Sequence, residues 1–547
     1  MPKIKITLPD GSSKSYEKGV TGADIAKSIG PRLAKDAVAV EINGRIADLE
    51  EKISEDSKIR IITFRDNEGL NALRHSLAHL LAAAVMELYP ETKRTIGPPI
   101  ENGFYYDFQF KNPATDNDLE KIEKRMREIL PKWDKFAGKE LTAAEAKKEF
   151  ANNPFKKELI DEFSKKGEKL TIYKSGNYMD LCKGGHLSSM KIINPDSFKL
   201  THIAGAYWRG NEKNPQLTRI YALAFPTKKE LDAHLKMIEE AKKRDHRVIG
   251  KQLDLFSLHE EGPGFLFFHP KGVIVINVLK DFMRKELEKL GYKEIMTPLI
   301  LSKHLWEQSG HWDHYKENMY FTEVEGKEFA VKPMNCPGAV LIFKERLYSY
   351  RDLPIRLAEF GIDHRHELSG VLSGLFRVRA FTQDDAHIFC TEDQIQQEVT
   401  QLIGLVDFIY STFNFPYHIE LSTRPEKFAG RIENWDKAEK ALEDALKSKK
   451  INYKLNPGDG AFYGPKIDFH IRDCLGRTWQ CATIQVDFSM PEKFDLKYVA
   501  EDGQKYRPVM IHRTVLGSME RFFGVLIEHY AGKFPLWLAP LQARILT

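Results

Sequence analysis

Between Phe360 and Phe389 this chain places Arg365, Glu367, Arg377, Arg379, Phe381, Gln383, Asp384, Asp385 and His387. Guanidinium groups bind phosphate oxygens in a fork, aromatic rings stack on bases, and carboxylates and amides hold small polar groups. So many of them in one stretch suit a site that holds a nucleotide and a small polar substrate together. Two strand-like runs flank a Ser/Gly-rich turn, so the stretch reads as a hairpin. The first run carries Arg365 and Glu367, the second carries the rest, and all are expected to point into a common space. A second constellation lies upstream. His75 and His79 are one helical turn apart, on one face of the run LNALRHSLAHLLAAAVMEL. Cys182 and His186 repeat that spacing after Tyr178 and Asp180. Four such side chains can bind zinc tetrahedrally. They can equally orient water and substrate without metal, or be ordinary residues of a half-buried helix and its neighbour.

These residues need elements to hold them, and at 547 residues the chain is too long for one core, so several domains are expected. Residues 1–63 read as a small α+β module. Lys3–Leu8, Ala37–Ile42 and Lys58–Phe64 are strand-like, Thr21 with Asp24 caps a helix, and Gly30 stops it. Residues 64–225 form a second α+β unit, opened by the apolar helix above and closed by a strand-rich region near Trp208–Tyr221. Residues 226–248 read as a linker helix begun by the capping pair Thr227 and Glu230. Its basic residues, Lys228, Lys229, Lys242, Lys243, Arg244 and Arg247, could face phosphates, but a solvated face is the commoner fate of such residues. Residues 249–535 are the largest block. From Leu536 the text LWLAPLQARILT reads as an apolar strand, the start of a further domain cut short by residue 547.

A net charge of +4 does not by itself signal nucleic acid. No run of roughly 18 apolar residues suggests a membrane span. The start MPKIKITLPDG is a strand and turn, not a targeting peptide. Five scattered cysteines, without a C-x-x-C pair, point to a reducing, cytoplasmic setting. Of these, Cys390, Cys474 and Cys481 carry no readable role.

The 249–535 block resembles the class II aminoacyl-tRNA synthetases through all three of their motifs. A helix, VLKDFMRKELEKLGY, leads to a strand ending at Pro298. Arg365-x-Glu367 and its turn follow, and Gly517-Ser-Met-Glu-Arg521 opens a helix. The finer text KPMNCPGAV, RAFTQDDAH and HRTVLGSMERF resembles the threonyl-tRNA synthetases, and that resemblance runs through the chain except for a C-terminal anticodon-binding domain. It implies an antiparallel class II sheet flanked by helices, a TGS-like module at 1–63 and an editing domain at 64–225. It further implies activation of L-threonine by ATP, transfer to tRNA(Thr), a homodimer formed through the first motif, and Mg²⁺ with ATP. Activation needs reactants held in place and cationic charge spread over the phosphates. Arg365 is the natural α-phosphate clamp, and Arg377 and Arg521 are further phosphate ligands. Glu367 would accept from the adenine amino group, Phe381 would stack on the base, and Gln480 would complete the ATP site.

The same resemblance places one zinc ion per subunit on Cys336, His387 and His512, a set that spacing alone does not reveal. Three protein ligands leave a coordination position open. A shape pocket separates threonine from its near-isostere valine by only about 10²-fold, so a metal that takes the hydroxyl and amino group would supply the rest. Gln383, Asp385, Tyr463, Gln485 and Ser518 are the expected polar lining. Serine keeps the hydroxyl, and losing one methyl is worth only about 1–3 kcal/mol, so a second, hydrolytic site against seryl-tRNA(Thr) is expected. The pairs His75/His79 and Cys182/His186 resemble the editing domain shared with alanyl-tRNA synthetases, which in the threonyl family is metal-free. Tyr106, Lys156 and Asp180 are its further candidates; Tyr105 and Tyr106 are adjacent, so on a strand only one faces the site. Two rivals remain in view: a non-catalytic synthetase-like protein and a free-standing editing hydrolase. The first would be expected to lose Arg365, Glu367 and Arg521, and the second would not need residues 249–535.

Overall fold

The computed structural model describes residues 2–473 and 476–546, so Cys474 lies outside the described residues. The chain divides into two compact units, Met1–Lys236 and Met237–Thr547.

The first unit begins with a five-stranded sheet. Lys3–Thr7 pairs antiparallel with Ser13–Glu17 and parallel with Ser57–Thr63, and Ala37–Ile42 lies beyond the latter. Alternate residues Ile4 and Ile6 turn inward to meet Ile25 of the helix Gly22–Ile29. That helix carries the reciprocal Thr21–Asp24 capping box and ends at Gly30. The long helix Asn67–Leu88 then runs through an apolar core, with Leu77, Leu81 and Val85 packed on Phe104, Phe108 and Ile220 of the strands Gly103–Gln109 and Gln216–Ala224. Its alanines let the neighbouring elements approach closely, which is why it is buried nearly all round. A separate three-stranded sheet, Ala137–Leu141, Leu170–Ser175 and Tyr178–Leu181, completes the unit.

Thr227 and Glu230 cap each other as the spacing predicts, and the helix runs Lys228–Lys243. Its cations are largely answered locally: Lys243 by Glu239 and Glu240, Lys228 by Asp196, and Arg247 by Asp245.

The second unit is built on an eight-stranded sheet. Its centre is antiparallel: Ile355–His364, Ala380–Cys390, Val509–Thr514, Thr478–Asp487 and Lys466–Arg472, in that spatial order. The helices Pro270–Lys289, Ile395–Thr412, Ile432–Ser448 and Met519–Tyr530 supply the core against it through Leu279, Leu402, Leu442 and Phe522. Central strands that are covered on both faces read as continuous apolar or buried runs, and every residue of Val509–Thr514 is buried.

Three sequence expectations change. The hairpin strands are Ile355–His364 and Ala380–Cys390, so Arg365, Glu367, Arg377 and Arg379 stand on the loop between them and not on the strands. The stretch before Pro298 pairs only over Lys293–Glu294. The apolar tail from Leu536 to Leu546 forms no strand. Pro535 accepts from the N–H of Leu538, Leu538 is wholly buried, and Trp537 packs on Phe282 and Phe413. Pro535 and Pro540 have no N–H to give to a ladder, and Leu538 between them closes the core instead, while Leu536 stays exposed.

Candidate active and editing sites

One cavity of about 380 Å³ in the second unit brings together residues from the loop, five strands and two helix starts. Side chains alternate along Ala380–Cys390, so Phe381, Gln383, Asp385 and His387 face this cavity. Asp384 does not, contrary to expectation. It turns to the other face and accepts the backbone N–H groups of Val515, Leu516 and Gly517 at 2.9, 3.0 and 2.8 Å. Burial raises its pKa to about 6, and these donors with Arg513 hold it ionised at neutral pH. Asp384 therefore shapes the turn that leads into the helix Met519–Tyr530. Arg379 is also turned away, donating to the carbonyls of Glu367 and Pro263.

The remaining cationic residues line the cavity. Arg365 lies with its guanidinium 5.0 Å from the Phe381 ring centre, a stack that fixes the plane of the fork. Arg377 bonds Glu367 at 3.0 Å, so the carboxylate is oriented by one of the cations beside it. Ser518 caps the helix by accepting from the N–H of Arg521. Arg521 is then held over the cavity by the carbonyls of Phe376 and Gln480, both 3.2 Å away. Gln480 is fixed by Asp468 at 2.6 Å, and Gln485 by the carbonyl of Gly464 at 2.8 Å. Tyr463 packs against the ring of His512. Glu520, one residue before Arg521, turns inward and accepts the N–H of Thr382; burial raises its pKa to about 7.

Cys336, His387 and His512 converge at the floor of this cavity, with their ligand atoms within 4.8 Å of one another. Sheet register does most of this: His387 and His512 are directly paired on adjacent antiparallel strands, and Gln485 is paired with His512 on the next. Cys336 arrives as the first residue of the helix Cys336–Lys344, where the helix dipole favours a thiolate. The residues fit a metal ion. His387 Nε2 is buried without a hydrogen-bond partner among the described residues, with Asp385 3.8 Å away. His512 Nε2 is 3.0 Å from Asp487, a carboxylate that fixes the ring and leaves Nδ1 for a ligand. Burial pushes the Cys336 thiol up and His387 down, so a thiolate here requires a cation at its side while the imidazole is already neutral.

Sequence reasoning passed over the groups around this floor. Asn335 donates to both Asp363 and Asp385, at 3.2 and 3.3 Å. Asp363 was findable only through register, since it pairs with Phe381 across the hairpin. His311, wholly buried with Nε2 3.1 Å from Met334 and 3.9 Å from Cys336, gives no signal in the sequence.

The first unit holds a second cavity of about 380 Å³, lined by His75, His79, Tyr106, Lys156, Asp180 and Cys182 among others. His75 Nε2 is 3.0 Å from Cys182 Sγ, and His186 Nε2 is 3.6 Å from the same sulfur. His186 is stacked between Phe136 and His75 and is not itself among the residues that line the cavity. Tyr106, not Tyr105, faces inward, donating to Asp180 at 2.5 Å, while Tyr105 packs under Arg219. Asp180 is the hub. It accepts from Tyr106, Tyr178 and the N–H of Leu181, and it pairs with Lys156 at 2.8 Å and Arg94 at 3.2 Å. Burial works against its charge, but Lys156 and Arg94 outweigh that and hold it well below the usual carboxylate range. Arg94 was missed because a lone arginine has no spacing to mark it. Burial lowers His75 to about 4 and His79 to about 3, pushes His186 well below its ordinary value, and raises Cys182 to about 12. The four side chains are thus neutral, with Asp180 and its cations as the charged part of the site.

Comparison with known proteins shows which family the chain belongs to. The family model "tRNA synthetase class II core domain (G, H, P, S and T)" matches residues 320–530, "TGS domain" matches 4–63, and "Threonyl and Alanyl tRNA synthetase second additional domain" matches 170–221. The threonine–tRNA ligase of Caldanaerobacter subterraneus subsp. tengcongensis is 55% identical over 544 residues, spanning 99% of this chain and 84% of that protein. That of Acetivibrio thermocellus is 56% identical over 545 residues, spanning 99% and 85%. This chain belongs to the threonine–tRNA ligases. As a member of that family it joins threonine to tRNA at the expense of ATP, and the match over 170–221 gives it the editing domain. A crystal structure titled as the RNA binding domain of threonyl-tRNA synthetase from Cryptosporidium parvum Iowa II is 50% identical to it. The TM-score is 0.53, over 54% of this chain and 74% of that one. No described helix is long and apolar enough to cross a membrane.

Proposed function

We propose that the cavity of the second unit performs both halves of threonine selection and activation, and that of the first unit removes serine. Arg365, Arg377 and Arg521 hold the ATP phosphates, Glu367 and Gln480 hold the nucleoside end, and Phe381 stacks on adenine. Threonine–tRNA ligases use Mg²⁺ with ATP, which here would accompany the phosphates. Cys336, His387 and His512 would hold one zinc ion, which when bound supplies an open position for the threonine hydroxyl and amino group. Asp385, Gln383, Tyr463, Gln485 and Ser518 complete the amino-acid pocket. The observation that carries this reading is that the three ligand residues meet on the floor of the same cavity that the three arginines line. In the first unit His75, His79, Cys182 and His186 orient seryl ester and water without metal, and Tyr106, Lys156 and Asp180 hold the substrate.

We assign residues 1–63 to the TGS module, 64–225 to editing, 226–248 to the linker and 249–535 to catalysis. The protein works as a cytoplasmic homodimer formed through the segment around Pro298, where Met296 is 91% exposed and Leu299 and Ile300 are also uncovered. The test is ATP–pyrophosphate exchange with threonine, valine and serine, alongside metal analysis. Threonine and serine should support exchange, valine should not, and one zinc should be found per chain. Normal threonine activation by metal-free protein that still rejects valine would falsify the zinc assignment.

A further inference from the structure

The ATP reading leaves one buried cluster unused. Asp245, His246 and Glu528 bring metal-ligating atom types within 4.8 Å of one another, yet both ring nitrogens of His246 are already committed. Nε2 accepts the backbone N–H of Leu375 at 3.0 Å. The ring proton therefore sits on Nδ1 and is donated to Glu528 Oε1 at 2.7 Å. Glu528 also accepts the N–H of His246 and pairs with Arg477. Arg477 in turn pairs with Asp473, which accepts from the indole of Trp479 at 3.0 Å.

Each end of this circuit reaches the ATP pocket. Leu375 precedes Phe376 and Arg377, which line the cavity. The Phe376 ring has His246 and Trp479 as neighbours, each at a centroid distance of 4.2 Å. The Phe376 carbonyl is one of the two that aim Arg521. Glu528 stands on the helix Met519–Tyr530, two turns beyond Arg521 and on the same face. We propose that His246 is a positioning residue for ATP: it pins the loop at Leu375 to the helix that carries Arg521, and so fixes Phe376, Arg377 and Arg521 relative to one another. This rests on the assignment of ATP to that cavity. The fit is tight, since a Cβ on Gly374 would come within 2.2 Å of His246 Nε2, and Gly374 has φ +49°.

The experiment uses the full chain and measures KM for ATP and for threonine separately in pyrophosphate exchange. His246→Asn keeps a donor near Nδ1 and removes the acceptor for Leu375. It should raise KM for ATP by about 3- to 10-fold, as one such hydrogen bond predicts. KM for threonine and hydrolysis of seryl-tRNA should not move. His246→Gln, which returns an acceptor near Nε2, should restore most of the loss. Gly374→Ala should reproduce the Asn effect with His246 intact. Arg365→Ala serves as the control for the pocket itself. If it raises KM for ATP while His246→Asn does not, the positioning role is overturned and the ATP assignment stands. If neither changes KM for ATP, both fall. If the Asn and Gln variants alike lose folded protein but keep KM for ATP in what remains, the network is only structural and the proposal is wrong.

Discussion

At the scale of single residues, charge and neutrality are distributed for a reason in both cavities. Asp180 is the counter-ion of two buried cations, so Asp180→Asn leaves Lys156 and Arg94 unpaired and should destabilise the first unit by about 3–5 kcal/mol. Urea unfolding of the variant reads this, and an unchanged midpoint would show that the cations do not depend on it. The buried histidines lose stability in the same direction as the Asp180 ion pair, as pH falls, but over a higher pH range. Burial lowers His75 to about 4 and His79 to about 3, so between pH 6.5 and 4 the unfolded chain binds more protons than the folded one. Stability is therefore lost as pH falls through that window. Thermal melts should show the first unit melting earlier at pH 5 than at pH 7, and a flat profile would exclude neutral buried histidines. In the other cavity, Cys336→Ser should remove the zinc and threonine activation together, whereas Cys182→Ser should leave metal content unchanged. Elemental analysis of the two variants separates a liganding thiol from an orienting one.

Elements explain how much of this was readable in the sequence. Motif residues stood out because their types are costly to bury without purpose, and the i,i+4 spacing of His75 and His79 placed them on one helix face. Asp384 and Asp385 were both expected to enter the common space, but the two-residue period of a strand allows only one of them to, and the structure gives the cavity to Asp385. Loop residues were harder: Arg365 and Arg377 read as strand because the flanking runs are apolar, and the loop that holds them is defined by contacts to distant carbonyls. Asn335, Arg94 and His311 act through partners far away in sequence, which no local pattern records. Close packing between elements is testable at Gly361. A Cβ there would stand 2.1 Å from Asn335 Oδ1, so Gly361→Ala should push Asn335 off Asp363 and Asp385. Threonine activation should fall at least about tenfold, the equivalent of 1.4 kcal/mol, while the unfolding midpoint shifts little. Normal activity in this variant would mean Asn335 can be moved without consequence.

At the scale of the whole molecule, the two chemistries are carried by separate compact units and share no side chain. Their mutants should therefore be independent: His75→Ala should let seryl-tRNA accumulate with pyrophosphate exchange intact, and Cys336→Ser should do the reverse with pre-charged seryl-tRNA as substrate. Loss of both activities in either single mutant would contradict that separation. The net charge of +4 is small, so tRNA affinity must come from local groups, and it should fall as salt rises. The pairing of His387 with His512 across the sheet has one more consequence, which concerns heredity. A single residue inserted between Val509 and His512 turns that histidine to the opposite face of the sheet, because side chains alternate strictly along a strand. A descendant gene with an odd-numbered insertion or deletion there would lose the convergence of Cys336, His387 and His512 unless a bulge absorbed the change. Parity of residue count, as much as the identity of the ligands, is what such a lineage has to keep.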